Sequence, residues 1–571
     1  MIWLIIVISS LNYHWSKEIL NVISWDVYGY YLYLPAIFKY GDINQYAFAL
    51  EHFSKYPVSE DLYQLMEWND RKAPIYTIGM AMIYLPFYLV ADIIAHIIPG
   101  MEADGMSPIY QWAIILGSWI YCLIGLKYAH KILEILKVSV LSRIITLSII
   151  FLGTNYFHYS AFENGMPHHF LFTLYLILIY STIRWHQDHH LKYIIAGAIC
   201  ISILCLARPS ELICLLIPAG YGIYNGLSWL IKWNKIKKHR SHLLTLMAIG
   251  LILVSIQVVF WKTSINEWIF NGYQGHHFDF LNPHIVEGLF SFRKGWFIYT
   301  PLCFLGIMGI PLVWKYDRRW MLPVTSFIII NVYLVLSWHI WWYASSYGMR
   351  ALIQSYAILM IPMAYFIESM MKRTREKNIM ILIAIVGILL NQFQDWQYRN
   401  KILMQDEMNA IFYKKSFLKT DLDKTLRKYI DAPEYYQGSK SKSILQQYIP
   451  ESIDTILPGT FGYTHRIPSI ILDTTMNVPW ISGEAKIYMK GASFNTHQQA
   501  RMVMAQKKED VNIKWRGVRF QQMVDEGELL SLDYDFLVEL PVSENEYIEV
   551  TIWNNGPDTI MMQELNVYEY R

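Results

Sequence analysis

The residue best suited to chemistry in this sequence is Asp26, a single carboxylate among the aromatic side chains of residues 24–35, just after the first apolar segment. A carboxylate held in such a place can act as a general base that takes the proton of an attacking hydroxyl. The alternative is a capping role, in which the carboxylate accepts hydrogen bonds from the free amides at a helix start. We predict the catalytic role, and the stretch alone leaves the alternative open.

Arginines at the ends of apolar runs are the second group of candidates. Arg208 stands between two apolar runs with almost no loop, three residues before Glu211. Either these two side chains form an intramembrane ion pair on one helical turn, or Arg208 binds a lipid-linked phosphate, because a guanidinium matches phosphate oxygens bidentately. Arg293 and Arg350 also precede apolar runs, and snorkelling to the interface is the alternative to phosphate binding there. Lys294 is expected to snorkel.

A second carboxylate, Glu163, lies in the polar turn at residues 162–169. It can hold a divalent cation, orient an acceptor or cap the next helix. The histidines of the expected outer loops lack the His-x-x-x-His spacing of a helical metal site, so we predict no metal site and no cofactor, with a divalent cation left open. Tyr30, Lys72 and His168 complete the predicted substrate-binding set.

Several other chemistries lack their usual patterns. The sequence has no Gly-rich phosphate-binding loop, no Walker pattern and no Ser-His-Asp order, which argues against a nucleotide-driven pump. The five cysteines all lie in apolar runs, so they predict packing residues rather than a disulfide framework or a zinc site. A net charge of +2 gives no indication of nucleic-acid binding, and none is predicted.

The elements that must position these groups are membrane helices. Of the 571 residues 54% are hydrophobic and 16% are charged, against about 25% charged residues in soluble domains. The first segment, at residues 2–12, is short for a span, lacks the features of a cleaved signal peptide, and leaves a start further upstream open. With it, the apolar runs predict about eleven spans, the others being 109–126, 142–160, 167–183, 193–207, 210–230, 243–262, 296–314, 320–340, 351–371 and 378–395.

Charge orients these spans. One set of alternate connections carries most of the Lys and Arg residues, whereas the other set carries only Arg208, Arg293, Lys294 and Arg350. The basic set is therefore predicted to be cytoplasmic. The alternation works only if residues 73–98 do not cross as a single span, so we expect a hairpin or an interfacial pair of helices that dips in or lies along the interface. Residues 14–108 then form one long outer loop.

The character of the sequence changes after residue 395. Residues 396–455 are charged and predict a mixed helical linker. Residues 456–571 show short alternating runs separated by turn residues, including a predicted hairpin at residues 554–556. They predict a β-sandwich that lies on the outer side by parity. The fold class is thus a polytopic α-helical membrane protein, at residues 1–395, with a C-terminal extracytoplasmic β-sandwich-like domain.

This organisation resembles the GT-C superfamily of integral membrane glycosyltransferases. The nearer relatives are the polyprenyl-phosphate-sugar-dependent enzymes of the protein O-mannosyltransferase and aminoarabinose transferase kind. Such enzymes carry an acidic residue in a long first outer loop, as Asp26 is placed here, and a Lys-x-Pro-x-Tyr stretch on interfacial helices, as at residues 72–76. The stretches at residues 346–350 and 292–301 are similar to further elements of these enzymes.

The resemblance implies an inverting transfer of a sugar from a polyprenyl-phosphate donor. Asp26 would take the proton of the acceptor hydroxyl, and Arg208, Arg350 and Arg293 would stabilise the leaving phosphate. The implied partners are membrane lipid, the donor, and a glycan, lipid or protein acceptor. The implied location is the inner (cytoplasmic) membrane of a bacterium, with the active site and the C-terminal domain facing the periplasm or exterior.

Two other classes of protein compete with this interpretation. A lipid-linked glycan or polysaccharide transporter would use the outer charges as a substrate path, but it is expected to show internal repeats of the span pattern. A sensor or scaffold would use the β-domain for binding and would need far fewer spans.

Overall fold

The computed structural model describes the chain except for residues 60, 439–440, 473–478, 492–498, 522, 525, 541–542, 544 and 571. Its internal contacts divide the chain into two units, residues 1–396 and 397–571. The first unit is helical, apart from one short hairpin, and the second contains nearly all the strands.

The first unit is built from nineteen α-helices within the described residues. They are α1 (Ile2–Trp15), α2 (Trp25–Tyr31), α3 (Tyr33–Pro35), α4 (Phe48–Lys55), α5 (Gly79–Ile97), α6 (Pro108–Ile135), α7 (Val140–Leu152), α8 (Tyr156–Ala161), α9 (Pro167–Asp188), α10 (Leu191–Ala207), α11 (Leu216–Gly220), α12 (Gly226–Lys238), α13 (Arg240–Ile265), α14 (Ile285–Phe290), α15 (Trp296–Tyr299), α16 (Phe304–Tyr316), α17 (Met321–Leu336), α18 (Tyr356–Met370) and α19 (Thr374–Arg399). Short 3₁₀ turns cover Pro209–Leu215, Pro301–Cys303, Arg318–Trp320 and Arg350–Ser355, and a π turn covers Ala36–Tyr40.

By length and composition, six helices in the described part of the chain can cross a membrane. They are Gly79–Ile97, Pro108–Ile135, Arg240–Ile265, Arg318–Leu336, Arg350–Met370 and Thr374–Arg399. Shorter apolar helices cover Ile2–Trp15, Val140–Leu152, Leu191–Ala207, Pro209–Gly220 and Pro301–Tyr316. The multi-helical character is as predicted, whereas the number of crossings stays a prediction.

Three of the predicted spans are not continuous helices, and one of these, 296–314, is interrupted at residue 300 between α15 and the 3₁₀ turn at Pro301–Cys303. The run 142–160 is interrupted between α7 and α8, and the run 210–230 consists of a 3₁₀ turn, the short α11 and the start of the separate α12. In the run 210–230, Gly222 has a positive φ of 84°. Asn225 begins α12 with a capping box, in which its side chain accepts a hydrogen bond from the Ser228 amide. A left-handed glycine ends one helix and a capping box begins the next. A count of apolar residues does not detect either feature.

The stretch at 73–98 forms a single helix rather than the hairpin or pair of helices considered above. A two-stranded hairpin of β1 (Leu65–Trp68) and β2 (Arg71–Pro74) leads into the 19-residue α5. Pro86 lies inside α5, where it removes one hydrogen bond, but Tyr84 and Tyr88 on either side are buried and keep the helix packed. Whether α5 crosses the membrane stays a prediction.

The start of α5 lies against the end of α10 with no side chain between them. A Cβ on Gly79 would overlap the backbone of Ala207. Glycine is required there because only a residue without a side chain allows two backbones to approach so closely.

The second unit contains two antiparallel sheets that share one hydrophobic core. One sheet has the order β5-β10-β7-β8 and the other β3-β11-β6-β9, with β4 also paired to β11. The bounds of the strands are β3 (Lys442–Tyr448), β4 (Asp454–Ile456), β5 (Phe461–Pro468), β6 (Trp480–Lys490), β7 (Arg501–Lys508), β8 (Val511–Arg519), β9 (Leu529–Leu537), β10 (Glu546–Trp553) and β11 (Thr559–Tyr570). Before them come α20 (Ala410–Ser416), a 3₁₀ turn at Lys424–Arg427 and α21 (Lys428–Asp431). A second 3₁₀ turn covers Ser469–Ile471.

The predicted hairpin at residues 554–556 is wrong, because β10 and β11 belong to different sheets. Asn554 is buried and its amide donates to the carbonyls of Ile456 and Asp558, so this turn carries the chain from one sheet to the other. A tight hairpin occurs instead between β7 and β8, where Glu509 and Asp510 both have positive φ, as a two-residue type I′ turn requires.

Candidate active site

Asp26 lies at the centre of a polar cluster drawn from distant parts of the first unit. One carboxylate oxygen accepts hydrogen bonds from the hydroxyls of Tyr63 and Tyr76, each at 2.8 Å. The other accepts from the Arg350 guanidinium at 3.0 Å, across 324 positions of sequence. The Asp26 side chain keeps 24% of its surface exposed, so the carboxylate is reachable from outside the fold.

The local structure turns this carboxylate away from its own helix. Helix α2 begins after Ser24 without a side-chain cap. Trp25 has a φ of 50°, a left-handed conformation that is costly for a bulky residue, and its amide donates to the Val58 carbonyl at 2.8 Å. Asp26 is therefore not used as a capping residue. Backbone strain of this kind, next to a charged group, is typical of functional sites.

Tyr76 reaches Asp26 because Gly29 leaves room for its ring. A Cβ on Gly29 would lie 2.6 Å from a ring carbon of Tyr76, far inside contact distance. The ring also stacks on Tyr30, with centroids 4.2 Å apart, and contacts the edge of Tyr273 at 5.9 Å. The last residue of the Lys-x-Pro-x-Tyr stretch is thus the one that contacts the carboxylate.

Arg350 begins the 3₁₀ turn before α18 and is mostly buried, with 13% of its side chain exposed. Gly348, with a φ of 60°, turns the chain just before it. Arg350 interacts electrostatically with Asp26, Tyr159, Glu163 and Tyr30. A buried guanidinium with a carboxylate on one side and tyrosine hydroxyls on the other is suited to binding an additional anion.

Arg208 belongs to the same cluster without touching Asp26. It ends α10 in an extended conformation and is half-buried. Its charge acts on Asp26 and on Tyr30, so it faces the site. The intramembrane ion pair with Glu211 is not formed within the described chain. Instead, Glu211 accepts hydrogen bonds from Tyr175 at 2.6 Å and Gln354 at 2.8 Å.

The electrostatics of the cluster keep Asp26 ionised. Burial by itself raises the pKa of the carboxyl group, but Arg350, the hydroxyls of Tyr76 and Tyr63, and Arg208 together more than offset it, and the pKa lies below its usual value. Tyr30 responds in the opposite sense: burial raises its pKa, although Arg208 and Arg350 oppose the shift. A carboxylate with a lowered pKa is a weak base until some of its partners are withdrawn.

Glu163 enters a second polar network beside Arg350. Its carboxylate lies 3.1 Å from one ring nitrogen of His158, whose other nitrogen lies 2.5 Å from Asp395. Only a doubly protonated imidazole donates from both nitrogens, so this geometry fits an imidazolium between two carboxylates. Glu163 is 34% exposed, whereas His158 and Asp395 are almost fully buried.

Three other predicted site residues have different surroundings. Lys72 lies 3.8 Å from the exposed Glu67 on the β1–β2 hairpin, and no hydrogen bond or ion pair of the described chain joins it to Asp26. The Arg293 guanidinium lies 3.9 Å above the ring of Trp342. His168 is fully buried beside Tyr159, with ring centroids 5.1 Å apart.

Lys294 does not snorkel. It is 1% exposed, and its ammonium group donates to the Ser346 carbonyl at 2.5 Å. A snorkelling lysine would donate to water, whereas Lys294 donates to a backbone carbonyl inside the protein. Lys294 therefore holds the loop that leads to Arg350.

Several functional candidates are not recognisable from residue type and spacing. Tyr63, Tyr273, His158 and Asp395 contact the cluster or its neighbours, yet each is one tyrosine, histidine or aspartate among many. In sequence, Asp395 resembles the polar end of a span. The abundance of tyrosine in the first outer loop is the single signal that could have indicated hydroxyl donors around Asp26.

No group of three or more metal-binding side chains occurs among the residues that the structure describes. The Glu163 carboxylate faces a histidine rather than other carboxylates. The divalent cation left open above therefore receives no ligand set here.

Comparison with known proteins finds similarity to solved structures. No family model and no curated protein matches the chain. Arabinosyltransferase EmbB from Mycobacterium smegmatis is similar over 84% of this chain and 64% of that chain, with 10% sequence identity and a TM-score of 0.33. A TM-score of 0.33 does not establish a shared fold.

Proposed function

We propose that this chain is a membrane glycosyltransferase of the GT-C kind that moves a sugar from a polyprenyl-phosphate donor to an acceptor hydroxyl, with inversion. The observation that carries the proposal is the contact between Asp26 and Arg350. It brings together a base and a phosphate-binding group, the two functions that such a transfer needs.

In the proposed reaction the acceptor oxygen attacks the anomeric carbon from the side opposite the phosphate. The bond between that carbon and the phosphate oxygen breaks, and its electron pair stays on the phosphate. Asp26 takes the proton of the acceptor hydroxyl. Arg350 and Arg208 stabilise the phosphate charge, so no general acid is required for the leaving group.

The shared use of Arg350 couples donor binding to the strength of the base. In the structure Arg350 lowers the pKa of Asp26. A donor phosphate competes for the same guanidinium and draws it away from the carboxylate. The pKa of Asp26 then rises towards the range in which a carboxylate is an effective base. The proposal thus explains why a carboxylate that is a weak base in the free protein can act once the donor is bound.

The remaining assignments belong to the same proposal. Tyr30 and His168 are buried and support the wall that the sugar faces, and Glu163 orients the acceptor. The site and the C-terminal β-domain lie on the outer side of a bacterial cytoplasmic membrane. The acceptor is a glycan, a lipid or a protein.

The proposal is tested with Asp26→Asn in proteoliposomes supplied with a panel of polyprenyl-phosphate sugars and of glycan, lipid and protein acceptors. We expect wild-type protein to release polyprenyl phosphate and Asp26→Asn to lose transfer by about 10²- to 10⁴-fold, the usual contribution of general base catalysis. Asp70→Asn is the matched control, because Asp70 is exposed in the same outer loop and its positive φ suits asparagine.

Wild-type rates in Asp26→Asn would remove Asp26 from the base role. Movement of intact donor across the bilayer without release of polyprenyl phosphate would support the transporter class instead.

A further inference from the structure

Helix α12 has the composition of a helix that lies in a membrane interface. Its large apolar side chains are exposed to the surroundings of the protein rather than packed in the core, namely Leu227, Trp229, Leu230, Ile231 and Trp233. Lysines occupy its last turn. Exposed apolar and tryptophan side chains together with lysines are typical of helices that lie at the headgroup level.

A cavity of about 450 Å³ opens at the end of this helix. It is lined by His189, Asn234, Lys235, Lys238 and His239, from the end of α9 and the last turns of α12. The rings of His189 and His239 stack with centroids 4.9 Å apart. Every lining side chain can donate a hydrogen bond, and none carries a negative charge.

Within the described part of the chain, no ion pair neutralises the positive groups that line this cavity. The nearest carboxylate in sequence, Asp188, forms an ion pair with Arg184 at 2.5 Å. Burial lowers the pKa of His189, and Lys235, His239, Lys238 and His242 lower it further. Gathering like charges in this way is unfavourable unless an anion occupies the space between them.

The cavity is held in shape before any ligand arrives. The buried Lys232 ammonium donates to the carbonyls of Pro218, Ala219 and Tyr221, each at 2.7 Å, and fixes α12 to the end of α11. Lys235 donates to the His186 carbonyl at 3.1 Å and fixes α12 to α9. A preformed site loses little conformational entropy on binding.

We propose that this cavity binds the phosphate group of an anionic membrane lipid, in the leaflet where α12 lies. The exposed apolar side chains of α12 contact the acyl chains, and the lysines and histidines at its end bind the headgroup phosphate. The site is separate from the proposed transfer reaction, since it lies on a basic connection that is predicted to face the cytoplasm, and Asp26 on the outer side.

The test uses the full-length protein in nanodiscs of phosphatidylcholine with increasing phosphatidylglycerol, with bound lipid counted by native mass spectrometry. We expect Lys238→Gln to weaken phosphatidylglycerol binding about fivefold, the usual effect of one lysine at an anionic surface. Lys237→Gln is the matched control, because Lys237 is adjacent, carries the same charge and lies over Trp233 outside the cavity. His239→Gln should also weaken binding.

Equal losses in Lys238→Gln and Lys237→Gln would overturn the proposal in favour of diffuse surface charge. Displacement of the lipid by millimolar inorganic phosphate would assign the cavity to free phosphate and would also overturn the lipid assignment. No preference of the wild-type protein for phosphatidylglycerol over phosphatidylcholine would overturn it directly.

Discussion

Tyr76→Phe tests whether the hydroxyl groups around Asp26 set its basicity. The substitution removes one of the two hydroxyls on the same carboxylate oxygen and keeps the ring that stacks on Tyr30. It leaves the proposed phosphate-binding arginines intact. Any change in pH dependence then reports the carboxylate rather than the donor.

The size of the effect follows from the hydrogen bond. A hydrogen bond to a charged group contributes about 1.5–3 kcal/mol, and one pKa unit corresponds to about 1.4 kcal/mol. Because Tyr76 is buried, its loss should raise the pKa of Asp26 by about 1–2 units. The reaction needs ionised Asp26, so the acidic limb of kcat/KM should move to higher pH by the same amount.

The lowered pKa of Asp26 also makes the stability of the folded protein depend on pH. The pKa of Asp26 is lowered in the folded protein, so its contribution to stability is present above the pKa of the unfolded chain and is lost as the pH falls. Tyr76→Phe should therefore be less stable than wild type at pH 7, and the difference should shrink as the pH falls below about 4.

The measurements are a pH profile of kcat/KM for transfer and thermal unfolding in detergent at several pH values. Tyr31→Phe is the matched control, because Tyr31 is buried in the same loop and its hydroxyl donates to the Gly105 carbonyl, away from Asp26. An unchanged acidic limb in Tyr76→Phe, with activity retained, would refute the view that these hydroxyls govern the base.

Three further substitutions test other parts of the site. Gly29→Ala should push the neighbouring tyrosine ring away from the carboxylate, destabilise the fold by about 1–3 kcal/mol through overpacking and reduce transfer. Arg208→Ala should weaken donor binding by roughly 10- to 100-fold, as expected for one lost charge-assisted hydrogen bond, measured by titration of a polyprenyl-phosphate sugar. Asp395→Ala should cost about 3–5 kcal/mol in unfolding free energy, because it leaves a buried charge without one of its partners.

Matched controls separate these effects from general damage. Gly226→Ala adds a methyl group where nothing lies within 4 Å, so it should leave transfer unchanged. Arg71→Ala removes an outer-loop guanidinium that donates to the Ser264 carbonyl and should leave donor affinity unchanged. Glu163→Ala removes the more exposed partner of the same histidine and should destabilise less than Asp395→Ala. Equal effects in substitution and control would contradict the corresponding prediction.

The convergence of Asp26 with Arg350 could be expected from sequence because it depends on features that a sequence displays. Apolar runs mark the helices, and the alternation of basic connections places residue 26 and residue 350 on the same side. A charged side chain at the end of an apolar run also costs free energy unless it lines a polar cavity or has a partner. The sequence thus predicts which groups lie on the same side of the membrane, but it does not predict the distances between them.

The contacts that tune the carboxylate could not be predicted in the same way. Tyr63 and Tyr76 differ from other tyrosines of the first outer loop only in where the fold brings their hydroxyls. The position of Tyr76 depends on the absence of a side chain at Gly29. No pattern in the sequence indicates that these two residues pack together. The break between α11 and α12 was missed for a related reason: capping by Asn225 is a local hydrogen-bond effect inside a hydrophobic run.

The backbone contact between Gly79 and Ala207 has a consequence for how the site moves. Tyr76 is three residues before one side of this contact, and Arg208 directly follows the other. A shift of α5 along α10 would displace the hydroxyl donor and the guanidinium in the same step. A ligand that moved either group in this way would therefore move the other through the main chain rather than through a series of side-chain rotamers.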